Sequence, residues 1–251
     1  ILYQDKIFHI SEENGLSNNI IWSITEDYDQ NIWLGTEKGL NTIIFNDKMN
    51  YKISTFGKLD GLKGTDFYPN ASYLDEENRI WWGTGKALTF LDLNEYEWTS
   101  KAPKVAITNI LINEENIDFR TLKTAKKQNQ MYRKGNLSMS ALSEMEYQNV
   151  LPFSNCPSEL SIPYELNHLI IAFSANDWAA PHKIKYMHKL EGASSEWHTV
   201  LNDNKVVYSF LPEGNYTFYL KAKGESGLWS ETLRFPFTVS PPWWRSIFAY
   251  I

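Results

Sequence analysis

The chain of 251 residues has room for one large or two ordinary domains, carries a net charge of −6 and is 15% aromatic. Its ten Trp and fourteen Tyr favour pleated, half-buried strands, which predicts an all-β fold. The acidic balance, without a broad basic face, argues against nucleic-acid binding. The single cysteine, Cys156, excludes an internal disulfide and a cysteine zinc cluster and is expected to be an inert thiol in a loop.

The first hundred residues contain a repeat. Residues 6–10 return as residues 52–56, each followed by a Gly-Leu pair, and residues 32–36 (IWLGT) return as residues 80–84 (IWWGT). A period in the forties is typical of a four-stranded propeller blade. We therefore expect propeller blades in this half of the chain.

Strands of the first copy can be placed along the chain. Residues 20–26 and 32–35 are predicted strands around a polar turn at 27–31, and Gly39 begins a third strand. Residues 6–10 are predicted to supply the outer strand of this blade.

Two residue types are expected to pack the blades. Gly35 and Gly83 should let neighbouring backbones approach closely, and Trp33 and Trp81 should fill the space between blades. We predict structural roles for these four residues.

The first copy resembles the two-component regulator propeller repeat, in Gly15-Leu16-Ser17-Asn18-Asn19, Trp22-Ser23-Ile24, residues 31–36 and Gly39-Leu40-Asn41. The second copy keeps Gly61-Leu62 and residues 80–84. A propeller needs about four to eight blades to close, so the resemblance places residues 1–101 in its last two or so blades. The other blades are expected upstream. The open blade faces are expected to be covered by another chain or by the second domain.

A second domain is predicted from about residue 102 to residue 240. Its strands are separated by turn sequences such as Leu211-Pro212-Glu213-Gly214, and this spacing favours an immunoglobulin- or fibronectin-like β-sandwich. The predicted strands are 105–112, 169–175, 184–190, 206–211, 215–222 and 234–239.

The segment 120–160 is polar and weakly periodic. A solvated loop or hairpin is the main interpretation, and an anion-binding patch for a charged glycan is the alternative. The basic residues that motivate the alternative are Arg120, Lys123, Lys126, Lys127, Arg133 and Lys134.

The second domain resembles the Y_Y_Y domain, which follows such propellers in hybrid two-component sensors. The matching positions include Leu190-Glu191-Gly192 and residues 211–216, while His188 stands where a second tyrosine is common. Five aromatic residues of the pattern are predicted to form sandwich core, with a share in a dimer interface as the alternative: Tyr186, Trp197, Tyr208, Tyr216 and Trp229.

The last residues, 241–251, are expected to begin a juxtamembrane or transmembrane helix. Pro241 and Pro242 would stop the last strand, and Trp243, Trp244 and Arg245 precede an apolar run, as at a membrane interface. Only the start of a span of about 20 residues would be present. A buried terminal segment is the alternative.

Motifs for chemistry are weak. The Asp27-x-Asp29-x-Asn31 start of a calcium loop has Ile32 where glycine is needed. His182 and His188 lack a companion ligand at metalloprotease spacing. We therefore predict no catalytic, cofactor or metal site. A propeller glycosidase would need a carboxylate pair, and no convincing pair is present.

The resemblance implies a ligand-sensing, signal-relaying ectodomain of a hybrid two-component histidine kinase, on the periplasmic side of a bacterial inner membrane. It further implies an oligosaccharide ligand that the propeller detects, a sandwich that relays the change and forms a homodimer, and attachment to the membrane after Trp243. The kinase domain would lie outside this sequence. The rival hypothesis is a non-signalling carbohydrate-binding or adhesive module of a secreted protein.

Overall fold

The computed structural model describes residues 2–3, 6–45, 50–98, 100–127, 135, 137, 139–151, 154–178, 180–201, 203–242 and 244. The chain divides into two compact units, Ile1–Ser100 and Lys101–Ile251.

The first unit is built of short strands. They are β1 (Leu2–Tyr3), β2 (Lys6–Ile7), β3 (Ile21–Glu26), β4 (Ile32–Thr36), β5 (Gly39–Phe45), β6 (Tyr51–Phe56), β7 (Phe67–Leu74), β8 (Arg79–Thr84) and β9 (Leu88–Asp92). Strands β3-β4-β5-β6 form one antiparallel sheet and β7-β8-β9 form another, while β1 pairs with β2. The two larger sheets are the propeller blades.

The repeat is visible in the turns that precede the blades. A 3-10 turn at Glu12–Asn14 ends at Gly15 and another at Lys58–Asp60 ends at Gly61, with φ of 113° and 100° respectively. Residues other than glycine rarely adopt this left-handed backbone conformation. The glycine of each Gly-Leu pair is therefore needed to end the turn.

The predicted outer strand of the first blade is wrong. Residues 6–10 contribute β2, which pairs with β1, whereas the outer position beside β5 is taken by β6. Strand β6 follows β5 closely in the chain, and a short connection favours antiparallel neighbours. The first strand of the second sequence copy, β6, therefore completes the blade formed by the first copy.

The second unit contains ten strands and two helices in its described part. They are β10 (Lys104–Ile112), β11 (Glu115–Asn116), α1 (Phe119–Lys127), α2 (Met139–Glu144), β12 (Glu146–Val150), β13 (Pro157–Ile162), β14 (Leu169–Asn176), β15 (Lys185–Glu191), β16 (His198–Val200), β17 (Lys205–Tyr208), β18 (Gly214–Lys223) and β19 (Leu233–Val239). Short 3-10 turns lie at Tyr164–Leu166 and Pro181–Lys183.

Two sheets form a sandwich in this unit. One has the order β11-β10-β14-β17 and the other β12-β13-β19-β18-β15-β16. All their pairs are antiparallel except β13 with β19. Alternate residues such as Leu169, Ile171 and Phe173 are buried between the sheets. The prediction of an all-β chain, with partial propeller blades and an immunoglobulin-like sandwich, is confirmed.

The segment 120–160 follows the expectation of a solvated loop or hairpin only in part, because its described first half is helical, whereas β12 and β13 pair as an antiparallel hairpin. Helices α1 and α2 lie there, followed by β12 and β13. Asp118 caps α1, because its carboxylate accepts hydrogen bonds from the Arg120 and Thr121 amides and from the Thr121 hydroxyl. These contacts lower the pKa of Asp118. Leu122 on the inner side of α1 packs into the sandwich core.

Candidate functional site

Trp33 of the propeller unit is fully buried between the two blades. Its ring centroid lies 5.5 Å from that of Trp82, on the facing blade, and 5.9 Å from that of Phe56. Its indole Nε1 donates a 2.8 Å hydrogen bond to Asp27, whose carboxylate also accepts from the amides of Asp29 and Asn31. Asp27 therefore organises the turn and fixes the tryptophan, a role that the failed calcium-loop comparison did not identify.

Trp81, at the equivalent repeat position, makes the same bond in a different environment. Its Nε1 donates to Asp75 at 2.8 Å, but its ring stacks on Phe90 on a face that is only partly covered. Partial burial raises the pKa of Asp75, yet hydrogen bonds from Trp81 and Arg79 outweigh this effect and lower it to about 2. The second blade buries Trp82 instead.

Gly35 and Gly83, the two glycines predicted to let the blades approach, differ in how closely other atoms surround them. A Cβ on Gly35 would lie 2.4 Å from Ser23 Oγ and 3.1 Å from the Phe67 side chain, which belongs to the other blade. A Cβ on Gly83 would meet Ala71 at 3.3 Å. Only Gly35 lies at a close approach between the blades.

The tyrosines of the sandwich join its parts through their hydroxyl groups. Tyr186 accepts a 2.9 Å bond from the Ala175 amide on the opposite sheet, and Tyr216 donates a 2.9 Å bond to the Pro212 carbonyl. Both residues are buried in the core. Burial raises the pKa of each phenol, and the Ala175 bond opposes this for Tyr186.

Tyr208 and His188 form a second link between the sheets. The Tyr208 hydroxyl lies 3.0 Å from His188 Nδ1, and both rings contact Phe218. Burial, with the neighbouring His198 as a second cause, lowers the pKa of His188. Burial also raises the pKa of Tyr208. His188 thus occupies a core-facing position between Tyr186 and Leu190 on β15.

The prediction that Trp197 and Trp229 are sandwich core is wrong. Trp229 is 40% exposed, and Trp197 is half-buried outside the core. Both rings lie beside lysines on the outer face of the six-stranded sheet, at the edge strand β16 and after β18. Strand alternation alone could not place them, because neither residue belongs to a strand.

The outer faces of the two sheets differ in charge. On the four-stranded sheet, Leu111, Ile170 and Val207 are cross-strand neighbours in one row, and Asn109, Ala172 and Lys205 form the next. We call the first row the neutral row. Lys205 is paired with Asp203 at 3.4 Å.

The outer face of the six-stranded sheet carries lysines and aromatic rings in alternation. In order they are Tyr219, Lys189, Trp197, Lys221, Trp229 and Lys223, with ammonium-to-centroid distances of 4.7, 5.8, 4.2, 4.7 and 5.9 Å. We call this set the lysine–aromatic ladder.

An open groove of about 740 Å³ occupies the other end of the same face. It lies over β12, β13, β19 and β18, with α1 beside it. Hydroxyl and amide side chains line much of it, and Glu146, Glu159, Lys123 and Lys126 add charges of both signs. The polar lining includes Gln148, Ser161, Asn215, Thr217 and Thr238.

Known proteins match both units. The two component regulator propeller family matches residues 15–38, and the Y_Y_Y domain family matches residues 179–240. In chain order, the sequence therefore resembles a regulator propeller repeat and then a Y_Y_Y domain.

One curated relative and several solved structures are similar along most of the chain. Histidine kinase P4 of Formosa agariphila is 22% identical over 240 residues, which are 95% of this chain and 16% of that protein. The extracellular domain described as that of hybrid two component system BT3049 from B. thetaiotaomicron has a TM-score of 0.67 at 23% identity, covering 92% of this chain and 27% of that one. A BT4673 extracellular domain from the same organism has a TM-score of 0.41 at 20% identity, over 91% and 26% of the two chains. The likeness to the BT3049 structure shows that the chain shares its fold, and the chain spans about a sixth of the curated relative and about a quarter of that structure.

The predicted signal exit lies after the last strand of the Y_Y_Y domain. Pro242 is buried, and the Trp244 ring meets Tyr164 edge-on at 6.2 Å. Trp243 and residues 245–251 lie outside the described residues, as does most of the predicted helix start. In the part of the chain that is described, no helix has the length and apolar character needed to cross a membrane.

The basic segment of the Y_Y_Y unit does not form one patch in its described part. Arg120 donates to the Leu151 and Ser154 carbonyls, and Lys126 donates to the carbonyls of Ser143 and Met145, so both cations hold local structure. Lys123 lines the groove. The side chains of Lys127, Arg133 and Lys134 lie outside the described residues.

Two further candidates are the thiol and the metal ligands considered in the sequence. Cys156 is buried, and burial raises the pKa of its thiol to about 12. No group of three or more His, Cys, Asp or Glu residues could hold a metal ion among the residues described.

The roles of the turn carboxylates and the lysine–aromatic ladder were not predicted from the sequence. Their signals were present, as Asp six residues before Trp in both repeats and as Tyr-x-Lys-x-Lys along one strand.

Proposed function

We propose that this chain is the ligand-sensing and signal-relaying part of a sensor of a two-component system. The observation that carries the proposal is one chain containing a regulator propeller repeat and a Y_Y_Y domain, with similarity to a histidine kinase along 95% of its length. It acts outside the inner membrane, and its kinase partner domain lies elsewhere in the protein.

The Y_Y_Y sandwich is suited to relay a signal along its strands. Strand β10 begins beside the end of β14, where Lys104 pairs with Asn176, and β19 ends at Val239, beside the start of β18. These two points lie at opposite ends of the sandwich. The core between them is continuous, and Tyr186 and Tyr208 tie the two sheets together. A displacement at the first end therefore moves the whole sandwich as one body.

The sandwich dimerises through the outer face of the four-stranded sheet. Beside the neutral row of Leu111, Ile170 and Val207 lie Asn109 and Ala172, and the charge of Lys205 at the edge is paired with Asp203. Depletion of charge is typical of an interface core. Phe210 lies at the end of this sheet, 82% exposed and with φ of 55°, a strained conformation for an aromatic residue. A two-fold dimer brings this face against its own copy.

The dimer is tested by light scattering and sedimentation of the whole chain. We expect a dimer at micromolar concentration, and Ile170→Asp should raise the dissociation constant about 100-fold, since a central interface position loses about 2.7 kcal/mol or more. Thr199→Asp, on an exposed strand of the other sheet, is the matched control and should leave the mass unchanged.

A wild-type chain that stays monomeric up to hundreds of micromolar would remove the dimer from the mechanism. The non-signalling binding module would then be the better account. Equal losses in Ile170→Asp and Thr199→Asp would contradict the choice of face.

The ligand is an oligosaccharide. Support comes from the open groove of the Y_Y_Y unit, whose hydroxyl and amide groups suit hydrogen bonding to sugar hydroxyls. Calorimetric titration with a panel of neutral and acidic oligosaccharides tests this. Thr217→Val in the groove should weaken binding at least fivefold, and Thr108→Val, exposed on the other sheet, should not change it.

A further inference from the structure

The lysine–aromatic ladder holds three ammonium groups in fixed positions. Lys221 Nζ lies 4.2 Å from the Trp197 centroid and 4.7 Å from that of Trp229, so it is held between two rings. Lys189 Nζ lies between Tyr219 and Trp197, and Lys223 Nζ approaches Trp229. Each cation–π contact is attractive and reduces the conformational freedom that a lysine would otherwise keep.

The ammonium donors of the ladder are unused by the described part of the chain. Lys189, Lys221 and Lys223 make no ion pair and no side-chain hydrogen bond with any described residue, whereas Lys183 at the edge of the face is bound to Glu225 at 2.9 Å. The neighbouring Glu191 carboxylate accepts from the Tyr219 hydroxyl instead. Each of the three cations therefore presents three N–H donors to an outside acceptor.

One pair of like charges lies directly across the strands of the ladder. Lys185 on β15 is directly opposite Lys223 on β18, and Met187 is opposite Lys221. Arg234 on β19 is directly opposite Tyr219. Like charges in cross-strand pairs are destabilising, so the face is less stable alone than with anions bound to it. This arrangement differs from an ordinary solvated surface, where opposite charges alternate.

The ladder fits an acidic sugar better than other partners. Lys221 and Lys223 are two residues apart on one strand, about 7 Å, so they can bind anions that recur along an extended chain. The rings separate the cations along the face, which suits a sugar chain that carries acid groups at intervals. A second copy of this face would oppose lysine to lysine.

We propose that the lysine–aromatic ladder binds an anionic oligosaccharide, carboxylated or sulfated, through Lys189, Lys221 and Lys223. The proposal rests on the oligosaccharide ligand proposed above and names its chemical class and its site. The ladder and the groove share the outer face of the six-stranded sheet, because Tyr219 and Thr217 are alternate residues of β18. One extended chain can occupy both.

The test is titration of the whole chain with oligogalacturonate, and with neutral maltooligosaccharide of the same length. The ladder variant Lys189→Gln/Lys221→Gln/Lys223→Gln should raise the dissociation constant for oligogalacturonate at least tenfold. The matched control Lys101→Gln/Lys104→Gln/Lys205→Gln removes the same charge elsewhere on this unit and should change it less than twofold. Added salt should weaken wild-type binding more than binding by the ladder variant.

Single substitutions keep the test valid if the triple variant is unstable. Lys221→Gln should weaken binding at least threefold, and Lys221→Arg, which keeps the charge and the ring contacts, should restore it. An equal loss in the control triple would overturn the ladder as the site. Equal or tighter binding of polyglutamate, oligothymidylate or anionic vesicles would overturn the sugar assignment.

The neutral glycan separates the two proposals. Binding of the neutral oligosaccharide with no gain for the acidic one would overturn the ladder proposal and leave the oligosaccharide ligand standing. Absence of binding by every glycan would count against both, while the dimer measurement would still report on the relay.

Discussion

Trp33 and Trp81 occupy the same position of one repeated motif but have different surroundings. Each donates its indole N–H at 2.8 Å to an aspartate six residues earlier. Trp33 is fully buried against the second blade, whereas Trp81 stacks on Phe90, which is itself 54% exposed. The local motif therefore determines the hydrogen bond, whereas packing against a neighbouring blade determines how far the tryptophan is buried.

A repeated motif specifies local hydrogen bonds but not the burial of its side chains. Neighbouring blades in a repeat architecture contribute separate interface energies, so identical motifs differ in stability according to what they contact. The face that carries Trp81 also exposes Tyr73 and Leu88. We expect matched substitutions in the two copies to have unequal effects.

The largest difference is expected for the tryptophans. Trp33→Ala should destabilise the propeller unit by about 3–5 kcal/mol, because it empties a buried site between blades. Trp81→Ala should cost about 1–2 kcal/mol, because it removes a partly exposed stack and one hydrogen bond to Asp75. Hydrogen exchange of β4 and β8 peptides measures both locally. Equal costs would show that the burial difference is energetically irrelevant.

A smaller difference is expected for the glycines. Gly35→Ala places a methyl group 2.4 Å from Ser23 Oγ and 3.1 Å from Phe67, so overpacking should cost about 1–3 kcal/mol. Gly83→Ala meets one methyl group at 3.3 Å and should cost less than about 1 kcal/mol. Urea unfolding followed by tryptophan fluorescence compares the pair. A larger loss for Gly83→Ala would contradict the assignment of the close approach to Gly35.

The smallest effect is a pH dependence in the second copy. Since the native pKa of Asp75 is lowered from 3.8 to about 2, its ionised form stabilises the fold above pH 3.8, and this contribution is lost as the pH falls from about 4 to 2. Asp75→Asn should flatten the acid dependence of stability in that window. Glu76→Gln, an exposed residue of the same turn, should not. Melting temperatures between pH 2 and 5 measure the slope.

Predictions from the sequence succeeded where period and turn chemistry were strong. The predicted strands at residues 32–35, 169–175 and 215–222 lie within the observed strands β4, β14 and β18. The helix α1 was missed because its apolar residues are few and the segment is rich in lysine. The outer strand of the first blade was misplaced because pairing depends on which strand reaches the edge, and a repeat in sequence carries no such information.

The candidate sites show the same division. Tyr186 and Tyr216 could be placed in the core from strand alternation, and they lie there. Trp197 and Trp229 could not be placed, since they belong to turns whose direction depends on tertiary contacts. The lysine–aromatic ladder could not be predicted either, because it joins residues of two strands and two turns that the fold brings together.

The sequence by itself determined the strand periodicity, the Gly-Leu turns and the aspartate-to-tryptophan bonds, because these depend on residues close along the chain. Only the tertiary structure decided which tryptophan is buried, which sheet face is neutral and which carries the lysine–aromatic ladder. Those properties depend on strand order and on the packing of one sheet against another, where contacts join residues far apart in sequence.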